Sequence, residues 1–352
     1  MSELALWLRR QAVSVEIMAA STDSGRDMAR CADPIALLGQ LDEPRLPARM
    51  DVASRVVVGL AYRLRRLAPA VVHCFAPSDA LAARIAGIPY VLRVDSRDMD
   101  RSHAGEPAAA AALASAIERA RMVVCPDRAA ALAVAQCYSC PVELIPDGLD
   151  MARWHLASSN RMPGRIFIPM VLRDPSMYSS ALVLRQAVDL LRSGAVGTAP
   201  SSPVDPQGST WVRSAVPEPA SVSFMHGDHD DGRQYSIASV TCVPGGTSFA
   251  CRRAGESLAC GTPVALAGDA GACSIVDGEV GSLFVPHDPQ SCARAIKRCL
   301  ALADDPELAV ACRKRAADLD WSVIGPQLVE LYGRAARDGG NAGIGTVPPV
   351  ST

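Results

Sequence analysis

The sequence predicts an α/β protein built from two doubly wound domains. Its 352 residues are enough for two domains of ordinary size. From residue 52 onward, short apolar runs alternate with amphipathic stretches of helical period, the pattern of parallel sheets covered by helices. The alternation is interrupted at the turn Pro146-Asp147-Gly148-Leu149-Asp150. We therefore expect one domain at residues 1–150 and a second at residues 151–320.

The elements of the first domain follow from periodicity. The strand segments are short and apolar, whereas the helical segments repeat apolar residues every three or four positions. Strands are predicted at residues 14–20, 68–75, 89–95, 121–125 and 142–145, and helices at residues 3–10, 52–67, 78–86, 108–119 and 129–136.

The second domain shows the same alternation with one interruption. Residues 193–220 are rich in Pro, Ser and Gly, which predicts a mobile loop. Strands are predicted at residues 165–172, 221–224 and 239–243, with two more between residues 262 and 286. Helices are predicted at residues 179–192, 251–260, 290–302, 306–318 and 321–337, followed by a flexible tail at residues 338–352.

Composition excludes several classes of function. A net charge of −2 gives no reason to expect nucleic-acid binding. No apolar run is long enough to span a membrane and the N-terminus lacks a signal-peptide pattern, so a cytoplasmic protein is expected. The 12 cysteines are scattered, which favours buried thiols over a disulfide framework. The cluster at residues 226–231 (HGDHDD) is interpreted as a solvated turn, and no metal site is expected.

One basic segment has two interpretations. Residues 62–67 (YRLRRL) would suit peripheral contact with anionic lipid at the inner face of the membrane. An ordinary solvated helix face explains the same residues.

The stretch from Cys242 to Pro286 indicates a ligand site. A strand ends in Gly245-Gly246-Thr247-Ser248, and a helix predicted at residues 251–260 follows, closed by Gly261. A glycine loop before a helix directs free amide groups and the positive end of the helix dipole toward a bound anion such as a diphosphate. Glu256 lies within that helix, where its carboxylate could accept hydrogen bonds from sugar hydroxyls.

The segments GESLACGTPVA and SIVDGEVGSLFVPHD resemble the nucleotide-sugar half of the family 4 type retaining glycosyltransferases. IPDGLDMARW resembles the segment that joins the two halves of these enzymes, and two blocks between residues 69 and 133 resemble their first half. The resemblance implies the GT-B fold, with two Rossmann-like domains facing a cleft and a closing helix at residues 321–337 that returns to the first domain. It also implies transfer of a sugar, with retention, from a nucleotide sugar to a hydroxyl-bearing acceptor, with no cofactor and no metal.

The resemblance assigns donor-binding positions. Arg173 stands at the position of an arginine that contacts the leaving diphosphate, whereas Tyr178 replaces the accompanying lysine. Ser248 replaces the first of two glutamates and Glu256 matches the second. Phe249 and Ala250 follow Ser248 where the family has glycine-rich sequence, so these three residues are expected to line the sugar site.

Two positions are assigned on the acceptor side. Asp95 stands where the family has a histidine of the catalytic region. It is expected either to position an acceptor or accept a proton, or to cap the following segment. His73 matches the first histidine of the same block, and a packed, hydrogen-bonded core role is favoured for it.

The first strand and glycine loop of the family have no counterpart before the helix at residues 3–10. An upstream start, divergence, or a partner protein that covers the exposed sheet edge would each explain this. The alternative function is a catalytically degenerate, glycosyltransferase-like binding subunit. An isomerase of nucleotide sugars is a third candidate.

Overall fold

The computed structural model describes residues 2–15, 52–96, 98–99, 107–156, 161–169, 178–193, 222–224, 231–244, 248–268 and 275–337. The chain divides into two compact units, residues 1–146 with 322–352 and residues 147–321. The boundary falls between Pro146 and Asp147, four residues before the predicted one. The turn that was assigned to the end of the first domain therefore begins the second unit.

The first unit is a parallel sheet with helices between its strands. Its described elements are α1 (Ser2–Arg10), α2 (Val52–Leu67), β1 (Val72–Cys74), α3 (Pro77–Ala86), β2 (Tyr90–Arg93), α4 (Pro107–Glu118), β3 (Met122–Cys125), α5 (Arg128–Cys137) and β4 (Val142–Leu144). The described strands are ordered β1-β2-β3-β4, and every neighbouring pair is parallel. Its core contains the fully buried side chains of Leu64, Leu92, Ile117 and Val123.

Local caps set the ends of two helices in this unit. The Asp79 carboxylate accepts the N–H groups of Phe75 and Ala76 at 3.1 and 3.0 Å, just before α3 begins. Gly87 ends α3 with a φ of 78°, a left-handed conformation that glycine adopts readily. Asp127 accepts the N–H of Ala130 at 2.8 Å and so caps α5.

The second unit has its own parallel sheet. Its described elements are β5 (Ile166–Ile168), α6 (Tyr178–Ser193), β6 (Val222–Phe224), α7 (Asp231–Ile237), β7 (Val240–Val243), α8 (Ser248–Ala259), β8 (Val264–Ala267), β9 (Gly281–Phe284), α9 (Pro289–Leu302), α10 (Leu308–Ala316) and a 3-10 turn (Ala317–Leu319). The strand order is β6-β5-β7-β8-β9. Strand β6 lies on one side of β5, whereas β7, β8 and β9 follow on the other side. This change of direction creates a topological switch point between β5 and β7.

The last helix, α11 (Trp321–Arg337), starts in the second unit and continues in the first from Ser322. The Tyr332 hydroxyl lies 2.6 Å from Nδ1 of His73 in β1. Arg334 pairs with Glu143 of β4 at 2.9 Å. The first unit is therefore built from two separate segments, one before and one after the second unit in the sequence.

The two connections between the units are hydrogen-bonded to each other within the second unit. The Leu149 N–H donates to the carbonyl of Leu319 at 2.8 Å, and the Trp321 N–H donates to the carbonyl of Leu149 at 3.0 Å. Gly148 has no side chain, and an added Cβ would lie 2.5 Å from the Trp321 ring. The absence of a side chain at Gly148 allows the indole to lie against the connection.

Predicted and observed elements differ mainly at their ends. The helix predicted at residues 251–260 begins three residues earlier, at Ser248, and the strand predicted at 165–172 covers Ile166–Ile168. Helix α7 was not predicted, because seven residues that include Gly232 are too short to show a helical period. The predicted strand at 14–20 lies almost wholly outside the described residues, as do the 193–220 loop, most of the 226–231 cluster and the 338–352 tail. No described helix combines the length and the apolar character that a membrane crossing requires.

Candidate functional site

The switch point of the second sheet defines a candidate ligand site. In open parallel sheets, ligands bind beyond the carboxyl ends of the strands where the strand order reverses. The carboxyl ends of β5 and β7 lie at this point, because the two strands are hydrogen-bonded neighbours. In the sequence, Arg173 follows the end of β5 by five residues, and Ser248 follows the end of β7 by five residues. Of these two positions, the structure describes Ser248, which begins the helix that follows β7.

Helix α8 begins at this edge. Ser248, Phe249 and Ala250 form the start of its first turn, and Ala250 is buried. The first amide groups of a helix have no partner within the helix, and the helix dipole adds partial positive charge there. The start of α8 can therefore accept an anionic group such as a phosphate.

Glu256 is the ninth residue of α8, and its side chain is almost fully buried. Its Oε1 accepts a hydrogen bond from Nε of Arg252 at 3.1 Å. Its Oε2 accepts one from Arg253 at 2.8 Å and one from the Tyr235 hydroxyl at 3.1 Å. A ligand hydroxyl that approaches Glu256 must use the remaining acceptor capacity of Oε1 or displace one of these donors.

Arg252 and Arg253 belong to the same helix as Glu256. Neither side chain is fully exposed, at 28% for Arg252 and 13% for Arg253, and both form ion pairs with Glu256. The spacings of three and four residues place all three side chains on one face of α8. The sequence RRAGE at residues 252–256 predicts contacts between the arginines and Glu256, because their spacing matches one helical turn.

Tyr235 is a further site residue that was not predicted from the sequence. It belongs to α7, is fully buried, and packs edge-to-face against Trp154 and Phe167 with ring centroids 5.8 and 4.9 Å away. The Thr262 hydroxyl donates to its backbone carbonyl at 2.8 Å. No periodic signal marks α7, so nothing in the sequence pointed to this residue.

Arg173 lies outside the described residues. Tyr178, which replaces the family's lysine, is the first residue of α6. The proposed diphosphate contact of Arg173 therefore rests on sequence position.

Asp95 follows β2 at the carboxyl edge of the first sheet and is 5% exposed. Its Oδ1 accepts the N–H of Asp98 at 3.2 Å, and its own N–H donates to Asp98 Oδ2 at 3.0 Å. Its Oδ2 also pairs with Arg93 at 3.2 Å. The carboxylate thus caps the turn that follows β2, which is the structural alternative expected from the sequence, while lying where this fold class binds ligands.

Asp127 stabilises the same edge from the neighbouring strand. Besides capping α5, it accepts the hydroxyl of Ser96 at 2.5 Å and the N–H of Ser96 at 3.3 Å. These contacts join the turn after β2 to the turn after β3 and so fix the position of Asp95. The sequence signal for Asp127 is an aspartate directly before a helix, which predicts the cap but not the contact with Ser96.

His73 lies in the middle of β1 and contacts the last helix through Tyr332. Its ring stacks on Phe75 at a centroid distance of 4.5 Å. Burial lowers its pKa to about 3, and the nearby Arg93 contributes to the shift. The imidazole is therefore neutral at ordinary pH, and its Nε2 is buried without a hydrogen-bond partner.

The cysteines of the described part of the chain are all free, and most are buried. Burial raises the pKa of Cys260 to about 11 and that of Cys299 to about 12, so these thiols are poor nucleophiles at neutral pH. Among the residues that the structure describes, no three His, Cys, Asp or Glu side chains are grouped so as to hold a metal ion.

Comparisons with known proteins agree with this geometry. Residues 1–153 match the family model Glycosyltransferase Family 4. A D-inositol 3-phosphate glycosyltransferase of Streptosporangium roseum is 32% identical over 172 residues, which are 47% of this chain and 37% of the relative. The chain thus spans little more than a third of that relative's length.

Two solved structures show the same fold. The Anabaena protein Alr3699/HepE in complex with UDP-glucose has a TM-score of 0.62 at 17% identity, with 79% of this chain and 82% of that chain covered. A glycosyltransferase from Rickettsia africae has a TM-score of 0.64 at 12% identity, with 96% and 94% covered. The fold is GT-B, as the sequence predicted.

Proposed function

We propose that this chain is a glycosyltransferase of the family 4 type that transfers a sugar with retention from a nucleoside diphosphate sugar to a hydroxyl acceptor. One observation supports the proposal most directly. Helix α8 begins at the switch point of the second sheet, in a fold shared with a protein that was solved with UDP-glucose. That edge offers the free amide groups at the start of α8, and Arg173 follows β5 by five residues in the sequence.

The reaction breaks the bond between the anomeric carbon and the diphosphate oxygen. The acceptor oxygen forms the new bond to that carbon, and the acceptor proton leaves with the departing diphosphate or passes to a nearby base. Electrostatic stabilisation of the departing diphosphate is the main requirement. In the proposal, the start of α8 and Arg173 supply it, and Ser248, Phe249 and Ala250 line the sugar site.

Asp95 and Glu256 have the remaining proposed roles. Glu256 would accept hydroxyls of the nucleotide or sugar through Oε1. Asp95 would position the acceptor hydroxyl or receive its proton, from a turn held rigid by Asp98 and Asp127. His73 lies in the neighbouring strand β1 and contacts Tyr332, which agrees with a packing role.

The names of the relatives suggest the first acceptors to test. The Streptosporangium protein is named for inositol 3-phosphate, a polyol that carries a phosphate. We propose a hydroxyl acceptor of this chemical class, with a glycan or a lipid-linked sugar as the next candidates.

A second candidate function is a binding subunit that does not transfer sugar. The observation that favours it is that Arg252, Arg253 and Tyr235 already donate to Glu256, together with serine at the first glutamate position. In that case the residues of the site would serve recognition of a ligand or of a partner enzyme.

Calorimetric titration with UDP-, GDP-, ADP- and dTDP-sugars tests the donor site. One nucleotide should bind, and a concentration of 100 times its Kd should add about 2.7 kcal/mol to stability. Arg173→Ala should weaken this binding, whereas Arg294→Ala, at an exposed position of α9, should not. Turnover of the bound donor with an acceptor separates the enzyme from the binding subunit.

Glu256 variants need a stability control. Removing this carboxylate breaks the ion pairs with Arg252 and Arg253, and breaking a buried pair by removing one partner costs about 3–5 kcal/mol. Glu256→Gln, checked for folding by circular dichroism, is therefore preferable to Glu256→Ala. Absence of binding by the folded wild-type chain to any of the four donors would refute the proposed donor site.

A further inference from the structure

Helices α2 and α3 pack against each other and expose an unusual combination of side chains. On α2, Val57, Ala61 and Leu64 are buried at helical spacing. The opposite side of its C-terminal half exposes Tyr62, at 42%, and Arg66, whose guanidinium lies 5.9 Å from the centre of the Tyr62 ring. Leu67, the last residue of α2, is 39% exposed.

Helix α3, which packs against α2, exposes apolar side chains as well. Leu81 and Ile85 are one helical turn apart, and each is 42% exposed. Arg84 is exposed between them and donates to Ser115 of α4 at 2.9 Å. Arg65 of α2 donates to the carbonyl of Ile85 at 2.6 Å, so the C-terminal ends of the two helices are adjacent.

These side chains define the α2–α3 surface, which consists of Tyr62, Arg66, Leu67, Leu81, Arg84 and Ile85. Arginines in the last turn of a helix are favoured by the helix dipole, which explains Arg66 and Arg84. The dipole does not explain three exposed aliphatic side chains next to them. Exposed apolar side chains that are grouped, rather than scattered singly, are typical of interaction surfaces.

The charge of this region is strongly positive although the chain as a whole carries −2. Residues 52–93 contain six arginines and one acidic residue, Asp79. Asp79 is occupied at the start of α3, where it accepts two backbone N–H groups. No described acidic side chain of α2 or α3 therefore offsets the exposed arginines at their C-terminal ends.

We propose that the α2–α3 surface binds the surface of an anionic lipid bilayer. A bilayer offers negative headgroups to Arg66 and Arg84 and, just below them, an apolar layer to Leu67, Leu81 and Ile85. Tyr62 suits the boundary between the two, because its ring is apolar and its hydroxyl polar. A nucleic acid would match the arginines and the aromatic ring but has no use for the aliphatic side chains.

The proposal is independent of sugar transfer and is tested with the full chain. Flotation with phosphatidylcholine vesicles, with and without phosphatidylglycerol, should show binding only to the anionic vesicles, and binding should fall between 0.1 and 0.5 M salt. Each arginine near such a surface contributes about fivefold in affinity. The double variant Arg66→Ser with Arg84→Ser should therefore bind roughly 25-fold more weakly.

A second variant isolates the apolar contribution. Leu81→Ser with Ile85→Ser should also weaken vesicle binding, and because both side chains are exposed, folding should be preserved. Arg294→Ser with Val310→Ser, at exposed positions of α9 and α10, is the matched control and should bind as the wild type does.

Three results would overturn the proposal. One is no binding to phosphatidylglycerol vesicles, and another is equal losses in the α2–α3 variants and the control. The third is tight binding to a single-stranded oligonucleotide that Leu81→Ser with Ile85→Ser leaves unchanged, which would identify a polyanion site instead.

Discussion

At the scale of single residues, Glu256 shows how burial constrains a functional carboxylate. A buried carboxylate is costly unless it is paired and hydrogen-bonded. Arg252, Arg253 and Tyr235 provide this compensation. The same donors that stabilise the charge also limit what Glu256 can offer a ligand.

His73 is the titratable residue whose environment has the clearest consequence for pH dependence. Its pKa is lowered to about 3 in the fold, from an ordinary value of 6.5, so the unfolded chain binds the proton more readily. The stabilisation is complete above pH 6.5 and is lost progressively as pH falls toward 3. The loss is at most about 1.4 kcal/mol per pH unit.

We predict that His73→Gln flattens the pH dependence of stability between pH 6.5 and 5. Urea unfolding followed by circular dichroism at pH 7.5, 6 and 5 measures the change. His155→Gln, which alters an exposed histidine of the second unit, should retain the wild-type profile. Parallel profiles for the wild type and His73→Gln would show that burial of His73 does not govern the acid sensitivity.

At the scale of elements, α8 depends on a close approach to the two connections between the units. Gly255 of α8 faces Leu149 and Leu319, and an added Cβ would lie 2.8 Å from a methyl group of each. Leu149 is fully buried and Leu319 is 5% exposed, so moving either methyl group disturbs the packing around it. Packing therefore favours glycine at this position of the helix.

We predict that Gly255→Ala destabilises the protein by about 1–3 kcal/mol, because overpacking outweighs the gain in helix propensity. Gly59→Ala is the matched control: Gly59 also lies inside a helix, but an added Cβ meets nothing within 4 Å. Gly59→Ala should raise stability by up to about 1 kcal/mol. Urea midpoints measure both changes, and equal shifts for the two variants would contradict the packing argument.

At the scale of the whole molecule, the first unit depends on α11, a helix that follows the second unit in the sequence. Ile324, Leu328, Leu331 and Ala335 of α11 are buried. The helix also contributes Tyr332 to His73 and Arg334 to Glu143. In the second unit, the backbone of Leu149 is hydrogen-bonded to Leu319 and Trp321, so its two ends are joined to each other. The second unit therefore does not depend on α11.

We predict that a chain ending at Trp321 loses amide protection in β1, β2 and β3 of the first unit, whereas β7 and β8 of the second unit keep theirs. Hydrogen exchange measured by mass spectrometry distinguishes the two units. A chain ending at Arg337, which retains all of α11, is the control and should be protected like the full chain. Equal loss of protection in both sheets would show that the units do not have separate cores.

Much of the fold could be predicted from sequence because its signals are local. Helix α2 is observed with its predicted bounds, and the helix at 108–119 is displaced by one residue. Apolar periodicity and turn residues act over fewer than 20 positions, so a single segment contains the information. Helix α7 was missed because its seven residues are too few to show a helical period.

The sequence by itself determined the α/β class, the order of strands and helices, and the resemblance that led to the GT-B fold. It also placed Asp95 and the start of α8 after strands, where parallel sheets bind ligands. Only the tertiary structure decided the partners of the site residues. Tyr235 reaches Glu256 from 21 positions away, and Tyr332 reaches His73 from 259 positions away. Contacts at such separations depend on how the elements pack, and a local sequence pattern does not encode them.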